Sequence, residues 1–331
     1  MRSEVSEPRR AGVLGTLIWD TIVARDVRRE PVEEWGGIAY ALEALSLSLP
    51  PGWVLRPILT IGEDLGERAL RFLHSIPRLE VTEAVRLVPF PNNRVELRYE
   101  NQERRTERIT GGVPSWSWQD LGPLVEDLDA LYVNFITGNE MELETAQKLR
   151  ESFDRPLYAD LHSLFLGITS RGYRFPRELP AWGAWLRAFD AVQVNETEFE
   201  LLGQSWGDSW KLAADVVGAE LKLLTVTMGK KGAAYVAAPE FDSDPGRWAS
   251  TRSTLGRGGP SRSARVPLEG DPREGDPTGC GDVWGATFFG HLLAGTGLEE
   301  AMGQANRMAA RNVEHRGAHG LHLHLRRGGG S

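Results

Sequence analysis

Cysteine is almost absent. The 331-residue chain carries one, Cys280, so no disulfide can close within it and no zinc site needing two cysteine ligands can be built. A reducing, cytoplasmic setting is expected. Lysine is scarce too, at positions 148, 211, 222, 230 and 231 only, and the arginines are scattered rather than gathered in a stripe. A net charge of −8 and an isoelectric point near 5.5 leave no cationic surplus for counterion release, so no nucleic-acid partner is expected. Long hydrophobic runs are missing: none approaches the roughly 20 apolar residues of a membrane span, and the mean hydropathy is −0.33. The opening MRSEVSEPRRAG lacks the apolar stretch of a secretory signal, so neither export nor a membrane partner is expected. The phosphate cradle Gly-x-x-x-x-Gly-Lys-Ser/Thr occurs nowhere, which excludes a P-loop kinase.

What is present is an ordinary globular composition, 41% hydrophobic and 25% charged, in a chain long enough for one large domain or two smaller ones. Apolar, β-rich runs alternate with amphipathic stretches from residue 12 to about 315, the pattern of βα units on a mainly parallel sheet. The fold class is α/β. Strands are expected at 12–19, 54–61, 130–136, 156–161, 191–194, 223–228 and 233–237, with helices between them and two more at 280–294 and 298–314. Two stretches break the rhythm. Residues 85–110 alternate around the turn-like 100–103, which reads as a half-exposed hairpin suited to a lid. Residues 239–273, dense in Gly, Pro, Ser, Arg and Asp, read as a mobile surface loop, and the glycine run after Arg326 as a flexible tail.

The segment Gly275-Asp276-Pro277-Thr278-Gly279-Cys280-Gly281-Asp282 leads directly into an apolar, small-residue helix. Its glycines let backbone approach a ligand, and the first-turn N–H groups point outward at the positive end of the helix dipole, an arrangement that suits phosphate. Asp282 would lie beside that anion, placed to accept a proton from an attacking hydroxyl. The plainer alternative is that Asp276 or Asp282 merely favours a helix start. Gly279, Gly281 and Gly285 mimic part of a dinucleotide fingerprint, but they follow a loop near the C-terminus rather than a first β-strand.

This segment resembles the signature of the PfkB-type, ribokinase-like carbohydrate kinases, and other matches fall in the same order along the chain. Gly15-Thr16-Leu17-Ile18-Trp19-Asp20 is similar to the family's first strand and substrate-binding aspartate, and Gly36-Gly37-Ile38-Ala39 to its double glycine. Ile61-Gly62-Glu63-Asp64-Leu65-Gly66 resembles its glycine and aspartate turn, Asn195-Glu196-Thr197-Glu198 its Asn-x-x-Glu motif, and Thr227-Met228-Gly229-Lys230-Lys231-Gly232 its nucleotide-side strand and turn.

The resemblance implies a single ribokinase-like kinase domain over 11–325: a mostly parallel sheet flanked by helices, with a lid from about 21–35 and 85–112. It implies an ATP- and Mg²⁺-dependent transfer of phosphate to a hydroxyl of a sugar, sugar derivative or nucleoside, with a monovalent cation as a further candidate. Asp282 would be the catalytic base, and Gly279, Cys280 and Gly281 the anion hole. Asn195 and Glu198 would organise Mg²⁺, Glu198 in part through water; read from the residues alone, they cap a helix after a strand. Thr227, Gly229 and Gly232 would shape the nucleotide side, with Asn306 approaching the adenine, whereas Gly229 alone reads as a β-turn. Asp20, Gly36 and Gly37 would hold the acceptor, and Arg94, Glu96 and Arg98 could reach inward from the lid.

Two departures bear on the substrate. The asparagine that many sugar kinases of this family carry after the double glycine is missing from Ile38-Ala39-Tyr40-Ala41-Leu42, and of an Asp-Pro-Asn-Arg-like segment only the aspartate survives in Asp160-Leu161-His162-Ser163. Trp19 and Trp35 could stack on a substrate face or simply pack. Cys280, at a helix N-terminus, is a candidate for oxidation. The exposed hairpin edge suggests a homodimer through the lid. The rival readings are a catalytically silent, kinase-like metabolite-binding protein and an NAD(P) oxidoreductase; the latter needs a glycine-rich first βα turn, which Trp19-Asp20-Thr21 does not supply.

Overall fold

The computed structural model describes residues 7–23, 30–99, 105–204, 206–218, 220–252, 259–271 and 273–326. Its centre is a nine-stranded sheet ordered β15-β14-β13-β12-β9-β8-β1-β4-β5. The parallel strands are β1 (Arg9–Leu14), β4 (Trp53–Gly62), β5 (Val85–Val88), β8 (Ala130–Asn134), β9 (Leu157–Asp160), β12 (Ala191–Asn195) and β13 (Leu223–Thr227). β14 (Ala233–Ala237) and β15 (Arg262–Val266) extend the sheet antiparallel. Because the middle strands are covered on both faces, they read as continuous apolar runs such as ALYVN and AVQVN rather than as alternating ones.

Helices α1 (Ile38–Ser48), α8 (Cys280–Leu293) and α9 (Leu298–Asn312) form one packed group, with α8 against both of the others and against β8 and β9. α8 is apolar nearly all round, as a helix buried between a sheet and two helices must be. Its Phe289 stacks on Tyr158 of β9, which stacks in turn on Tyr132 of β8, with centroids 5.3 Å apart in each pair. The other connections are α2 (Gly66–Ser75), α3 (Trp118–Val125), α4 (Leu143–Ser152), α5 (Trp182–Arg187), α6 (Glu196–Gly203) and α7 (Ser209–Val216). No helix among the described residues is long and apolar enough to cross a membrane.

A separate four-stranded sheet, β3-β2-β6-β7, forms the lid from β2 (Leu17–Val23), β3 (Val32–Gly37), β6 (Arg94–Tyr99) and β7 (Arg105–Thr110). Three expectations are corrected here. The first predicted strand breaks at Gly15-Thr16, where a Cβ on Gly15 would lie 2.6 Å from Ile38, so Asp20 belongs to the lid and not to the core edge. Val85–Val88 belongs to the core sheet beside β4, so the hairpin begins only at Arg94. Arg94, Glu96 and Arg98 face away from Asp20: the register sets Val95 opposite Asp20, and period-two alternation turns its neighbours to the other face, where Arg94 pairs with Asp64 and Arg98 with Glu96. The lid segment 24–29 and the turn 100–104 lie outside the described residues.

One lid edge is occupied within the chain. The hairpin of β10 (Leu166–Ile168) and β11 (Arg174–Pro176) reaches β7, with Ile109 N–H donating to Gly172 O at 2.9 Å. Residues 239–273 also depart from expectation. They contain β15 and two 3-10 turns, anchored by the fully buried Trp248 and by Arg252, which bonds to buried Asp190. One indole and one guanidinium fix a stretch whose composition otherwise reads as loop; residues 253–258 and 272 within it lie outside the described set. At the C-terminus, α10 (Leu321–Arg326) docks where the buried Glu43 carboxylate of α1 accepts the N–H groups of Gly320 and His322 and contacts the His322 ring. The tail predicted from 326 lies outside the described residues beyond Arg326.

Candidate active site

Because β8, β9, β12 and β13 run parallel, their carboxyl ends share one edge of the sheet, where open α/β sheets bind ligands. They end in Asn134, Asp160, Asn195 and Thr227, with Asn134 opposite Asp160 and Asn195 opposite Thr227. The first turn of α8 descends onto this edge. Gly279 initiates it at φ 76°, a conformation that disfavours an ordinary side chain, and a Cβ there would lie 2.3 Å from the Tyr40 ring. Cys280 N–H bonds back to Pro277 O at 3.2 Å, and the intrahelical ladder begins with Val283 N–H on Gly279 O. The N–H groups of Gly281 and Asp282 therefore precede the ladder. Gly281 is exposed, and a Cβ there would meet nothing nearer than Gln193 Nε2 at 3.8 Å, so backbone faces open space where an anion can approach.

Asp282 is half-buried, and its Oδ1 accepts from Asn134 Nδ2 at 2.7 Å. Burial raises its pKa from 3.8 to about 6, against the lowering effects of the Asn134 bond and the nearby His162. Asp160 is buried and goes further, to about 8, because burial and the charge of Glu198 both disfavour ionisation. Its oxygens accept from His162 N–H at 3.1 Å and Gln193 Nε2 at 2.8 Å. Burial opposes a proton on His162, but the Glu198 charge and hydrogen bond, with Asp160 and Asp282 behind, outweigh it and lift the ring to about 9. Asp282 therefore ionises more readily than Asp160, and the carboxylates around His162 favour its cationic form. Two carboxyls whose proton affinities are pushed apart in this way form a pattern that acid–base sites use.

Asn195 and Glu198 form a capping box at the start of α6: Glu198 N–H donates to Asn195 Oδ1 at 3.0 Å and Asn195 N–H to Glu198 Oε2 at 2.8 Å. Glu198 Oε1 also takes the Asn195 amide and His162 Nδ1, the latter at 2.5 Å. The cap expected from the residues alone is therefore real, and it also holds a buried carboxylate at the sheet edge next to His162 and Asp160. Among the described residues no cluster of three His, Cys, Asp or Glu could hold a metal.

On the acceptor side, Asp20 is buried and its carboxylate lies over Gly36, where a Cβ would fall 1.8 Å from Oδ2. Gly37, at φ 60°, begins α1. Tyr40, in the first turn of α1, connects the two halves: the charges of Asp20, Asp276 and Asp282 all act on it, and with burial they push its hydroxyl well above the usual tyrosine value. The Tyr40 ring lies directly against Gly279 and feels the charge of Asp20 from the lid side. Trp19 and Trp35 contact each other edge-on at 4.8 Å and are buried, so they pack.

Thr227 lies beside Asn195, and Gly229 has open space around it. Gly232, at φ 90°, abuts Val266 O of β15. Asn306, expected near the adenine, is buried, accepts from Trp284 Nε1 at 2.8 Å and donates to Val266 O and Pro267 O, so it ties α8, α9 and β15 together. Sequence reasoning missed Asn134, Gln193 and His162 as site residues. The available signal was that β8, β9 and β12 each end an apolar run in Asn or Asp.

Residues 175–323 match the model of the pfkB family carbohydrate kinases. Across nearly its whole length the chain superposes on solved structures of ribokinase-family kinases. The chain has the ribokinase fold, and its C-terminal part, residues 175–323, carries the pfkB-family match. A pyrophosphate-dependent kinase in the ribokinase family, solved as a sulfate complex, matches with TM-score 0.71 and 19% identity over 96% of this chain and 99% of its own. The Burkholderia thailandensis nucleoside kinase in complex with inosine gives 0.71 and 16% over 96% of both chains. Arabidopsis thaliana ribokinase complexed with ribose and ATP gives 0.65 and 16% over 97% of this chain and 98% of its own. No curated protein matches the sequence. At these identities the structural likenesses speak to the fold, and the site's chemistry rests on this chain's own residues.

Proposed function

We propose that the chain is a kinase that transfers the terminal phosphoryl group of Mg·ATP to a hydroxyl of a sugar, sugar derivative or nucleoside. The observation that carries this reading is Asp282, a half-buried carboxylate lifted to about 6, one residue beyond the exposed backbone of Gly281 on the first turn of α8. The acceptor would lie between Asp20 with the Gly36-Gly37 backbone and Asp282, which takes the hydroxyl proton as the oxygen attacks. Of the anion hole expected at Gly279, Cys280 and Gly281, the Cys280 N–H is engaged by Pro277 O at 3.2 Å, and the open backbone at Gly281 would face the charge that gathers on the moving phosphoryl. The lid sheet closes over the acceptor and keeps competing water away.

The residues fit a metal carried mainly by phosphates and water, as Mg²⁺ prefers: Glu198, whose oxygens are engaged by Asn195 and His162, would act on it with Asn195 through water rather than as a direct ligand. Bound there, Mg²⁺ would screen the phosphate charges and orient the leaving oxygens. Thr227 and Gly229 would border the nucleotide, and Gly232 would shape that wall by holding the turn against β15. The likeness to a pyrophosphate-dependent kinase makes pyrophosphate the second donor to test. The deciding experiment measures donor consumption, with ATP and with pyrophosphate, against pentoses, hexoses, sugar acids, polyols and nucleosides. Turnover with one acceptor supports the reading; donor binding without turnover across the panel favours a silent, metabolite-binding relative.

A further inference from the structure

The proposed base does not stand alone on its helix. Asn134, the last residue of β8, is fully buried and aims its amide nitrogen at Asp282 Oδ1, 2.7 Å away. An ionised carboxylate can only accept, so the amide must present its nitrogen here. Its own Oδ1 is consequently left in the interior without a hydrogen-bond partner among the described residues. A buried amide oxygen without a donor is unfavourable, and an apolar side chain would fill the end of an otherwise apolar strand at no such cost. The amide is retained where its only visible return is one bond to Asp282.

A second crossbar lies next to it. Gln193 of β12 is buried, donates from Nε2 to Gly281 O at 3.0 Å and to Asp160 at 2.8 Å, and accepts from Tyr158 at 2.8 Å. A Cβ on Gly285 would fall 2.4 Å from Gln193 Oε1 and 2.7 Å from the Tyr132 hydroxyl, so α8 can sit this close to the strand ends only as glycine. The sheet edge therefore grips the first turn of α8 at two points, the carbonyl of Gly281 and the carboxylate of Asp282.

We propose that Asn134 is a positioning residue: it engages one oxygen of the Asp282 carboxylate, fixes its rotamer and leaves the other oxygen to meet the acceptor hydroxyl. This rests on the kinase reading for its catalytic meaning but not for its geometry. The groups facing Asp282 are His162 and Asp160 from β9 and the turn after it, Tyr132 from β8 and Tyr40 from α1. Of these only His162, when protonated, favours the ionised form, so the Asn134 bond and His162 together oppose the effect of burial.

The test is Asn134→Leu, which keeps the branched outline and removes the amide, read in protein labelled with ¹³C at the aspartate carboxyl and with the Asp282 signal assigned by its loss in Asp282→Asn. The wild-type signal titrates near pH 6, and in the variant the midpoint rises by about one unit, a tenfold gain in proton affinity. With whichever acceptor the wild type turns over, kcat falls about tenfold or more while KM for the phosphoryl donor stays put. Should the leucine variant not fold, Asn134→Ala reads the same midpoint. A folded variant whose Asp282 midpoint equals that of the wild type overturns the proposal. A wild type that turns over no acceptor overturns the kinase reading instead, and the titration still decides the role of Asn134.

Discussion

Replacing Asp282 by asparagine should make the protein more stable at neutral pH while removing its proposed base. The folded-state pKa of about 6 lies above the reference of 3.8, so between these values the folded protein binds more protons than the unfolded chain. Stability contributed through this group is thus highest at low pH and is lost as pH rises through 3.8 to 6, the reverse of a salt-bridged carboxylate. The rise from 3.8 to about 6 sets a ceiling of about 3 kcal/mol, at ~1.4 kcal/mol per pH unit; because Asp282 is only half-buried, solvent reduces this to about 1–2 kcal/mol. Asparagine is nearly isosteric and keeps an oxygen to accept from Asn134, so the gain should survive the substitution. Urea unfolding of both proteins at pH 7 and pH 4 measures it: the variant leads by about 1–2 kcal/mol at pH 7, and the lead shrinks toward pH 4. A variant less stable at pH 7, or a difference that ignores pH, would refute the electrostatic reasoning.

The same ionisation governs activity. If Asp282 must be charged to act, about a tenth of the enzyme is competent at pH 5 and about nine tenths at pH 7, so kcat/KM should rise nearly tenfold between them; a flat profile would mean another group accepts the proton. Gly36→Ala puts a methyl where the Asp20 carboxylate lies, 1.8 Å from Oδ2. KM for the acceptor should rise about tenfold or more with KM for the phosphoryl donor unchanged, and equal changes in both would show that Asp20 does not touch the acceptor. Asp190→Asn removes the fully buried charge shared by Arg150 and Arg252, both at 2.6 Å, on a residue outside the site. A loss of about 3–5 kcal/mol in urea unfolding is expected, and a loss below about 1 kcal/mol would show that water already screens the cluster.

The start of α8 was legible in the sequence because its chemistry is local. Two glycines, a following aspartate and an apolar helix need no distant partner to be recognised, and the same holds for the capping box at Asn195 and Glu198. What stayed hidden were consequences of register. Asn134, Asp160 and Asn195 become one edge only when three parallel strands align, and a single apolar run gives no sign of which polar residue will face a helix 148 positions away. Asn306 shows the same dependence on tertiary structure: its place on the last long helix gave no sign that packing would engage both ends of its amide. Residues 239–273 read as loop because composition averages over the stretch, whereas Trp248 and Arg252 fix it through two side chains. The lid's alternation was visible, but which face meets Asp20 depended on its pairing with β2.

If Asp282 and the glycine turn before it move a phosphoryl group to a hydroxyl, donor consumption with Mg²⁺ across the acceptor panel, wild type beside Asp282→Asn, must show it. Turnover should appear with one acceptor class, and kcat should fall by about a hundredfold or more in a variant that is folded and still binds donor, within the range a general base contributes. Undiminished turnover in Asp282→Asn would mean that some other group takes the proton and that the site has been misread.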